Sequence, residues 1–216
     1  MTGAPPSPPA AAQAFGARLD LAVRYAHLLC TAGVERGLLG PREKERIWER
    51  HLLNSAALAP LVPAGADVAD LGSGAGLPGI PLALARPDLR VTLVEPMARR
   101  VAFLRECVDD LQVDVAVVRA RAEELARASV GVVVVRALAP LVRLVPTALP
   151  LLRPDGLLLA MKGRTATDEL AQVEPMLARW PGVRVSLDLL GEGEDTVRVV
   201  RFAVAAGATM TKAVEQ

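Results

Sequence analysis

The chain has 216 residues, with 25 Lys and Arg against 24 Asp and Glu, a net charge of +1 and 52% hydrophobic residues. That is enough for one domain with a short extension and a sizeable core. No uncharged run reaches the ~18–20 residues that span a bilayer, and the start, MTGAPPSPPAAAQAF, lacks the basic and apolar regions of a signal peptide. Two cysteines without a Cys-x-x-Cys give neither a disulfide framework nor a zinc site. His27 and His51 are too few and too far apart for a metal site. The charge balance excludes non-specific coating of nucleic acid, so any such partner has to meet a local patch. A cytoplasmic monomer without metal is expected.

Residues 1–14 read as a flexible Pro/Ala tail, 15–63 as a helical extension, 64–204 as the main domain and 205–216 as a second loose tail. Phe15, Leu19, Ala22, Ala26 and Leu29 recur at helical spacing. Pro41 opens a second helix over about 42–58, with Trp48, Leu52 and Ala56 on one face and mixed charges on the other. From there strands alternate with helices. Strands are expected at 67–71, 91–94, 115–118, 130–135 and 156–161, and helices at 79–85, 97–111, 141–152 and 167–179, with Pro146 kinking or dividing the third. The fourth strand is β-branched apart from Gly131, as suits one covered on both faces. Strands at 183–190 and 196–204, joined by Gly-Glu-Gly-Glu-Asp, form an antiparallel hairpin.

The first strand runs into VADLGSGAGLPGIP (68–81), a strand, glycine turn and helix start. Gly74-x-Gly76-x-x-Gly79, with Glu95 some twenty residues on, matches the dinucleotide fingerprint, which keeps an NAD(P)-dependent oxidoreductase open. Asp70-x-Gly72-x-Gly74-x-Gly76 resembles instead the loop with which class I methyltransferases hold S-adenosylmethionine. That ligand has no pyrophosphate for a helix N-terminus and carries an ammonium and a sulfonium that favour a carboxylate such as Asp70. Glu95, ending the second strand, is placed to accept hydrogen bonds from ribose hydroxyls. The closing hairpin favours the methyltransferase reading, since dehydrogenases finish their sheet in parallel.

An open α/β sheet keeps its site beyond the carboxyl ends of its strands. There the sequence places acids on the first two strands, Asp70 and Glu95, and cations on the next three: Arg119 and Arg121, then Arg136, then Lys162 and Arg164. The acids suit a cationic ribose-bearing cofactor and the cations suit RNA phosphates. For a single arginine a surface ion pair is the plain alternative; Arg136, directly after a buried strand, is read as functional. The strand-four end reads RALAP, without the Asn/Asp-Pro-Pro-aromatic motif that holds an exocyclic amine, and neither cysteine follows a proline. A target with its own lone pair, such as guanine N7, needs neither.

The motifs GSGAGLPGIPLA (72–83), RVAFLRE (100–106), RAEEL (121–125), VRA (135–137), MKG (161–163) and ERHLLNS (49–55) together resemble the RsmG (GidB) family of small-subunit rRNA guanine-N7 methyltransferases. The resemblance runs from about residue 25 to 203. It implies a class I S-adenosylmethionine-dependent fold, a seven-stranded, mostly parallel sheet with a C-terminal antiparallel hairpin behind N-terminal helices. It implies methylation of guanine 527 in the 530 loop of 16S rRNA, free or in the small subunit. By matched position it puts cofactor contacts on Gly72, Leu77, Ala122, Glu123 and Arg136; the physical reading adds Asp70, Gly74 and Glu95, with Arg121, Lys162 and Arg164 toward RNA. No side chain is assigned as acid or base. Two departures stand out: GVERGLLGPRE replaces an Asn-Leu-Thr segment, and Asn54 stands where an aspartate is usual. A small-molecule methyltransferase and a non-catalytic RNA-binding domain are the other readings.

Overall fold

The computed structural model describes residues 3–191, 193 and 196–208. Its strands are β1 (Asp67–Leu71), β2 (Arg90–Val94), β3 (Val115–Val118), β4 (Val130–Arg136), β5 (Leu152–Lys162), β6 (Val183–Leu190) and β7 (Val197–Val204). Its α-helices are α1 (Pro9–Phe15), α2 (Leu19–Leu28), α3 (Asn54–Ala56), α4 (Gly79–Ala85), α5 (Ala98–Leu111), α6 (Leu141–Ala148) and α7 (Ala166–Val173).

The strands make one sheet in the order β3-β2-β1-β4-β5-β7-β6. The first five pair in parallel; β7 enters antiparallel between β5 and β6. Asp70 is level with Leu93 on β2 and with Val134 on β4, so the three central strands end together. Strand order reverses between β1 and β4, the switch point where such a sheet leaves a crevice at its carboxyl edge.

Alternation along each strand divides the core between the two faces. Val68, Leu93, Val132 and Val134 face α4, α5 and the N-terminal helices, with Tyr25, Trp48 and Phe103 in the same cluster. Leu71, Val94, Val133 and Val135 face α6 and α7, together with Leu144, Val145 and Val173. Burial on both faces explains why β4 is β-branched from Val132 to Val135.

The N-terminus departs from the loose tail expected over 1–14. Pro9 opens α1, Ala11 and Phe15 are buried, and Trp48 Nε1 donates to the Pro5 carbonyl at 2.9 Å. Proline at the first helical position and a run of alanines favour a helix that a tail composition hides. The helix expected across 15–29 is broken at Gly16 (φ 49°) into α1 and α2. The second helix forms as tight turns over Pro41–Arg46, wide turns over Ile47–Leu53 and then α3. Pro146 stays inside α6, which ends at Ala148 and passes through one tight turn to β5. Of the expected C-terminal tail, 209–216 lies outside the described residues, as do Glu192, Glu194 and Asp195 of the hairpin connection. Among the described residues no helix is long and apolar enough to cross a membrane.

Candidate functional site

The β1 loop is built by glycine where side chains leave no room. Gly72 has φ 69°, and a Cβ there would lie 2.4 Å from Leu138 Cδ1. Gly76 has φ 97°, and a Cβ there would meet the Tyr25 hydroxyl at 2.7 Å. That hydroxyl donates to the Ala75 carbonyl at 2.6 Å, so α2 pins the loop from beneath. Tyr25 is fully buried, and burial raises its pKa well above the usual phenol value.

The two acids at the strand ends face inward. Asp70 is 0% exposed and its Oδ2 accepts the Gly79 N–H at 2.9 Å, tying β1 to the start of α4. Its Oδ1 has no partner among the described residues. Burial pushes its pKa up to about 7, against the pull of the Gly79 hydrogen bond. Glu95 is 1% exposed; it accepts the Gly74 N–H at 3.0 Å on Oε2 and the Met97 N–H at 2.9 Å on Oε1, and Arg100 lies 3.5 Å away. Both acids thus fix the loop from behind, where a carboxylate facing the ligand was expected.

Two cavities open at the strand tips. The first, about 340 Å³, is mostly apolar and is lined by Leu71, Gly72, Val94, Pro96, Ala120, Arg121, Ala122, Glu123, Leu138, Ala139, Arg143, Leu144 and Thr147. It has the size and lining of a small-molecule site. Of the sequence-derived cofactor residues it brings together Gly72, Ala122 and Glu123. Arg121, expected toward RNA, lines this cavity as well. Leu77 sits in the loop, its N–H on the Ser73 carbonyl, and with Gly74, Asp70 and Glu95 it does not line the cavity.

The second cleft, about 760 Å³, is polar. Among the described residues Arg46, Arg50, Arg136, Lys162, Arg164 and Arg198 line it against one acid, Glu169. Arg136, matched to a cofactor contact, therefore lies on this side. Lys162 is less available than its position in the sequence implied: its Nζ contacts Ala139 O at 2.5 Å and Glu169 Oε2 at 2.9 Å, and that carboxylate also takes the Leu141 N–H. Lys162 thereby holds the segment after β4 against α7. Arg46 and Arg50 come from the charged face of the second helix, for which a solvated face and a substrate-facing lid are the two readings from sequence; Arg198 was not singled out. Arg198 is opposite Lys162 in the β5–β7 register, a neighbourhood that only the antiparallel insertion creates.

Arg136 is held in place through the N-terminal extension. Its Nη2 donates to Arg50 O at 3.0 Å and to His51 Nδ1 at 3.0 Å, and its Nη1 lies 3.4 Å from Ser55 Oγ. A guanidinium has no acceptor, so Nδ1 must accept. The proton is then on Nε2, which donates to Glu43 Oε2 at 2.8 Å. Burial, then the Arg136 charge, lowers the His51 pKa to about 4 despite the Glu43 contact, and the ring is neutral at neutral pH. Burial and the nearby Arg50 lower the Arg136 pKa from its ordinary value. The sequence offered His51 as one of two scattered histidines and as part of the ERHLLNS stretch, without a role; its partner Glu43 is eight residues back and Arg136 comes from the sheet.

Comparison with known proteins bears on this arrangement. The family "rRNA small subunit methyltransferase G" (GidB) matches residues 18–194. The chain belongs to that family. It is 54% identical over 192 residues to "Ribosomal RNA small subunit methyltransferase G" of Streptomyces avermitilis, covering 88% of this chain and 81% of the relative. With the protein of the same name from Mycobacterium sp. (strain JLS) it shares 57% over 182 residues, 82% of this chain and 81% of that one. Among solved structures, a SAM-dependent methyltransferase from Aquifex aeolicus superposes with TM-score 0.56 at 16% identity, over 81% of this chain and 98% of that one. A putative S-adenosyl-L-methionine-dependent methyltransferase from Methanococcus maripaludis gives TM-score 0.61 at 9% identity, over 87% and 95%. Those two likenesses establish the fold: a class I S-adenosylmethionine-dependent methyltransferase sheet with its antiparallel hairpin, as the strand order indicated.

Proposed function

We propose that this protein methylates small-subunit ribosomal RNA with S-adenosylmethionine, at N7 of guanine 527 in the 530 loop of 16S rRNA. The observation that carries the reading is the juxtaposition of an apolar, ligand-sized cavity with a cleft that, among the described residues, is lined by six cations and one acid at the same strand tips. Membership of the family supports the substrate class, and the match of its motifs supports the position.

The residues present fit the cofactor. Gly72 brings bare backbone to the wall of the apolar cavity, and the buried, unpartnered Asp70 Oδ1 puts an acceptor beneath a loop that would carry a cationic ligand. When bound, S-adenosylmethionine supplies an electrophilic methyl on sulfur. Gly72, Leu71, Val94, Pro96 and Ala122 would surround it, with the Glu123 carboxylate at the cavity wall. Glu95, which does not line the cavity, would act indirectly, through the Gly74 backbone it fixes. Arg46, Arg50, Arg164 and Arg198 meet phosphates, which bring the nucleotide in without reading its sequence. A nitrogen such as guanine N7 carries its own lone pair and would need no residue here to free it. No proton moves, so the protein needs no general base. Its contribution is alignment and exclusion of water.

Radiolabelled methyl transfer to 16S rRNA and to small subunits, followed by mapping of the modified nucleotide, tests this. A single labelled guanine at position 527, with the label on N7, is expected. Label at another atom or nucleotide overturns the position; label only in small molecules, or calorimetric binding of NAD(P) without binding of S-adenosylhomocysteine, overturns the function.

A further inference from the structure

The two cavities share only Leu138 and Ala139 among the residues that line them. We infer that Leu138 is the partition between donor and acceptor: it supplies the apolar face on which the target base lies, and so sets the reacting nitrogen at the mouth of the donor cavity. The inference rests on the proposed function, since it takes the acceptor to be a nucleobase.

Four observations converge on this side chain. Leu138 is a large apolar residue left 45% exposed at the junction. It is lodged against Gly72, whose missing Cβ is what lets it sit there. Its backbone is set from both sides. Arg136, two residues before, is fixed by Arg50 and His51, and the Ala139 carbonyl, one residue after, is held by Lys162 Nζ at 2.5 Å. Between them Ala137 adopts φ 51°, a conformation that L side chains rarely take and that persists where the surroundings dictate it.

Chemistry gives the exposed leucine its task. A base drawn out of its stack is held between apolar or aromatic surfaces. Among the described residues no Phe, Tyr or Trp lines either cavity. Among the described residues the large apolar side chains that line the acceptor side are Leu138, Met161 and Val197. Of these, Leu138 alone also lines the donor cavity, where the methyl would be presented.

The test is steady-state methylation of small subunits by Leu138→Ala and Leu138→Met, with S-adenosylhomocysteine affinity and melting temperature measured alongside. For Leu138→Ala, kcat at saturating RNA and donor is expected to fall by about tenfold or more, a misalignment effect. Affinity for S-adenosylhomocysteine is expected to stay within about threefold and the melting temperature to hold, because the side chain is half exposed. Leu138→Met, similar in size and still apolar, is expected to recover most of the rate. An unchanged kcat with Leu138→Ala overturns the inference, as does a loss explained wholly by weaker donor binding, which would make Leu138 only a wall of the first cavity. If the wild-type enzyme labels position 527 and Leu138→Ala does so equally well, this inference fails alone. If the wild type labels no RNA, both it and the proposed function fail.

Discussion

The donor cavity and the acceptor cleft use their charges in opposite ways. On the donor side Asp70 and Glu95 are buried and give their oxygens to the backbone of Gly79, Gly74 and Met97. On the acceptor side Arg46, Arg164 and Arg198 line an open cleft; Lys162 and Arg136 are drawn into internal contacts, and Arg50 pairs with Glu43 at 3.3 Å. The difference teaches where each half gets its selectivity. A small ligand is selected by a loop whose shape must be fixed, so the acids serve geometry first and charge second. A long polyanion is selected by field over a broad surface, which asks for charge and little precision.

Breaking the donor side should have the largest effect. Gly72→Val demands a β-branched residue at φ 69° and pushes its methyls into Leu138. Left-handed backbone costs a residue with a Cβ about 1–2 kcal/mol, a loss a domain of this size survives, whereas Leu138 is displaced from the cavity wall it forms with Gly72. Affinity for S-adenosylhomocysteine is expected to drop by about 100-fold or more, equal to about 2.8 kcal/mol, with the circular dichroism spectrum retained. Affinity near wild type would show that the first cavity is not the donor site.

Arg136 sharpens the comparison, because matched position put it with the cofactor while the structure puts it in the acceptor cleft. Arg136→Ala removes a fork that holds Arg50 O and His51 Nδ1. Methylation of small subunits is expected to fall by about tenfold or more, the scale of a lost charged contact, while S-adenosylhomocysteine affinity moves by less than about threefold. The reverse pattern would return Arg136 to the donor side. A lowered melting temperature with activity per folded molecule unchanged would leave it a purely structural role.

What the sequence made legible was order along the chain. Alternating apolar runs, the glycine loop and the acidic hairpin connection are local signals, and strand ends follow from them. Hence the sheet, the hairpin and the presence of Gly72, Ala122, Glu123, Arg136 and Arg164 at the strand tips could be read. Side-chain allegiance across elements could not. Lys162 is held by the carbonyl of Ala139, the loop after a different strand. Glu95 turns to Gly74 because β2 lies beside β1. Tyr25 and His51 looked like ordinary residues of a preamble, yet one grips the glycine loop and the other orients Arg136. The extension is therefore part of the site, and α1 was hidden by a composition that favours tails and helix starts alike.

The smallest effects are expected from pH, where the two regions differ in sign. His51, on the acceptor side, has its pKa lowered to about 4 by burial and by Arg136. Between that value and about 6.5, the unperturbed value, the unfolded chain binds more protons than the native one. Its contribution therefore makes stability rise with pH across that window. Asp70, on the donor side, has its pKa raised to about 7 by burial, from 3.8. Across pH 3.8 to 7 the native state binds more protons, so its contribution makes stability fall as pH rises. Each slope is at most about 1.4 kcal/mol per pH unit, and in the shared window the two oppose each other. His51→Gln should leave the Asp70 slope exposed, with stability from urea melts declining between pH 4.5 and 6.5 relative to wild type. Asp70→Asn should expose the other, with stability rising over the same range. Parallel profiles for wild type and both variants would mean that neither group is held in the native state as its surroundings imply, and the contrast between an inward-turned donor side and a histidine-braced acceptor side would lose its electrostatic basis.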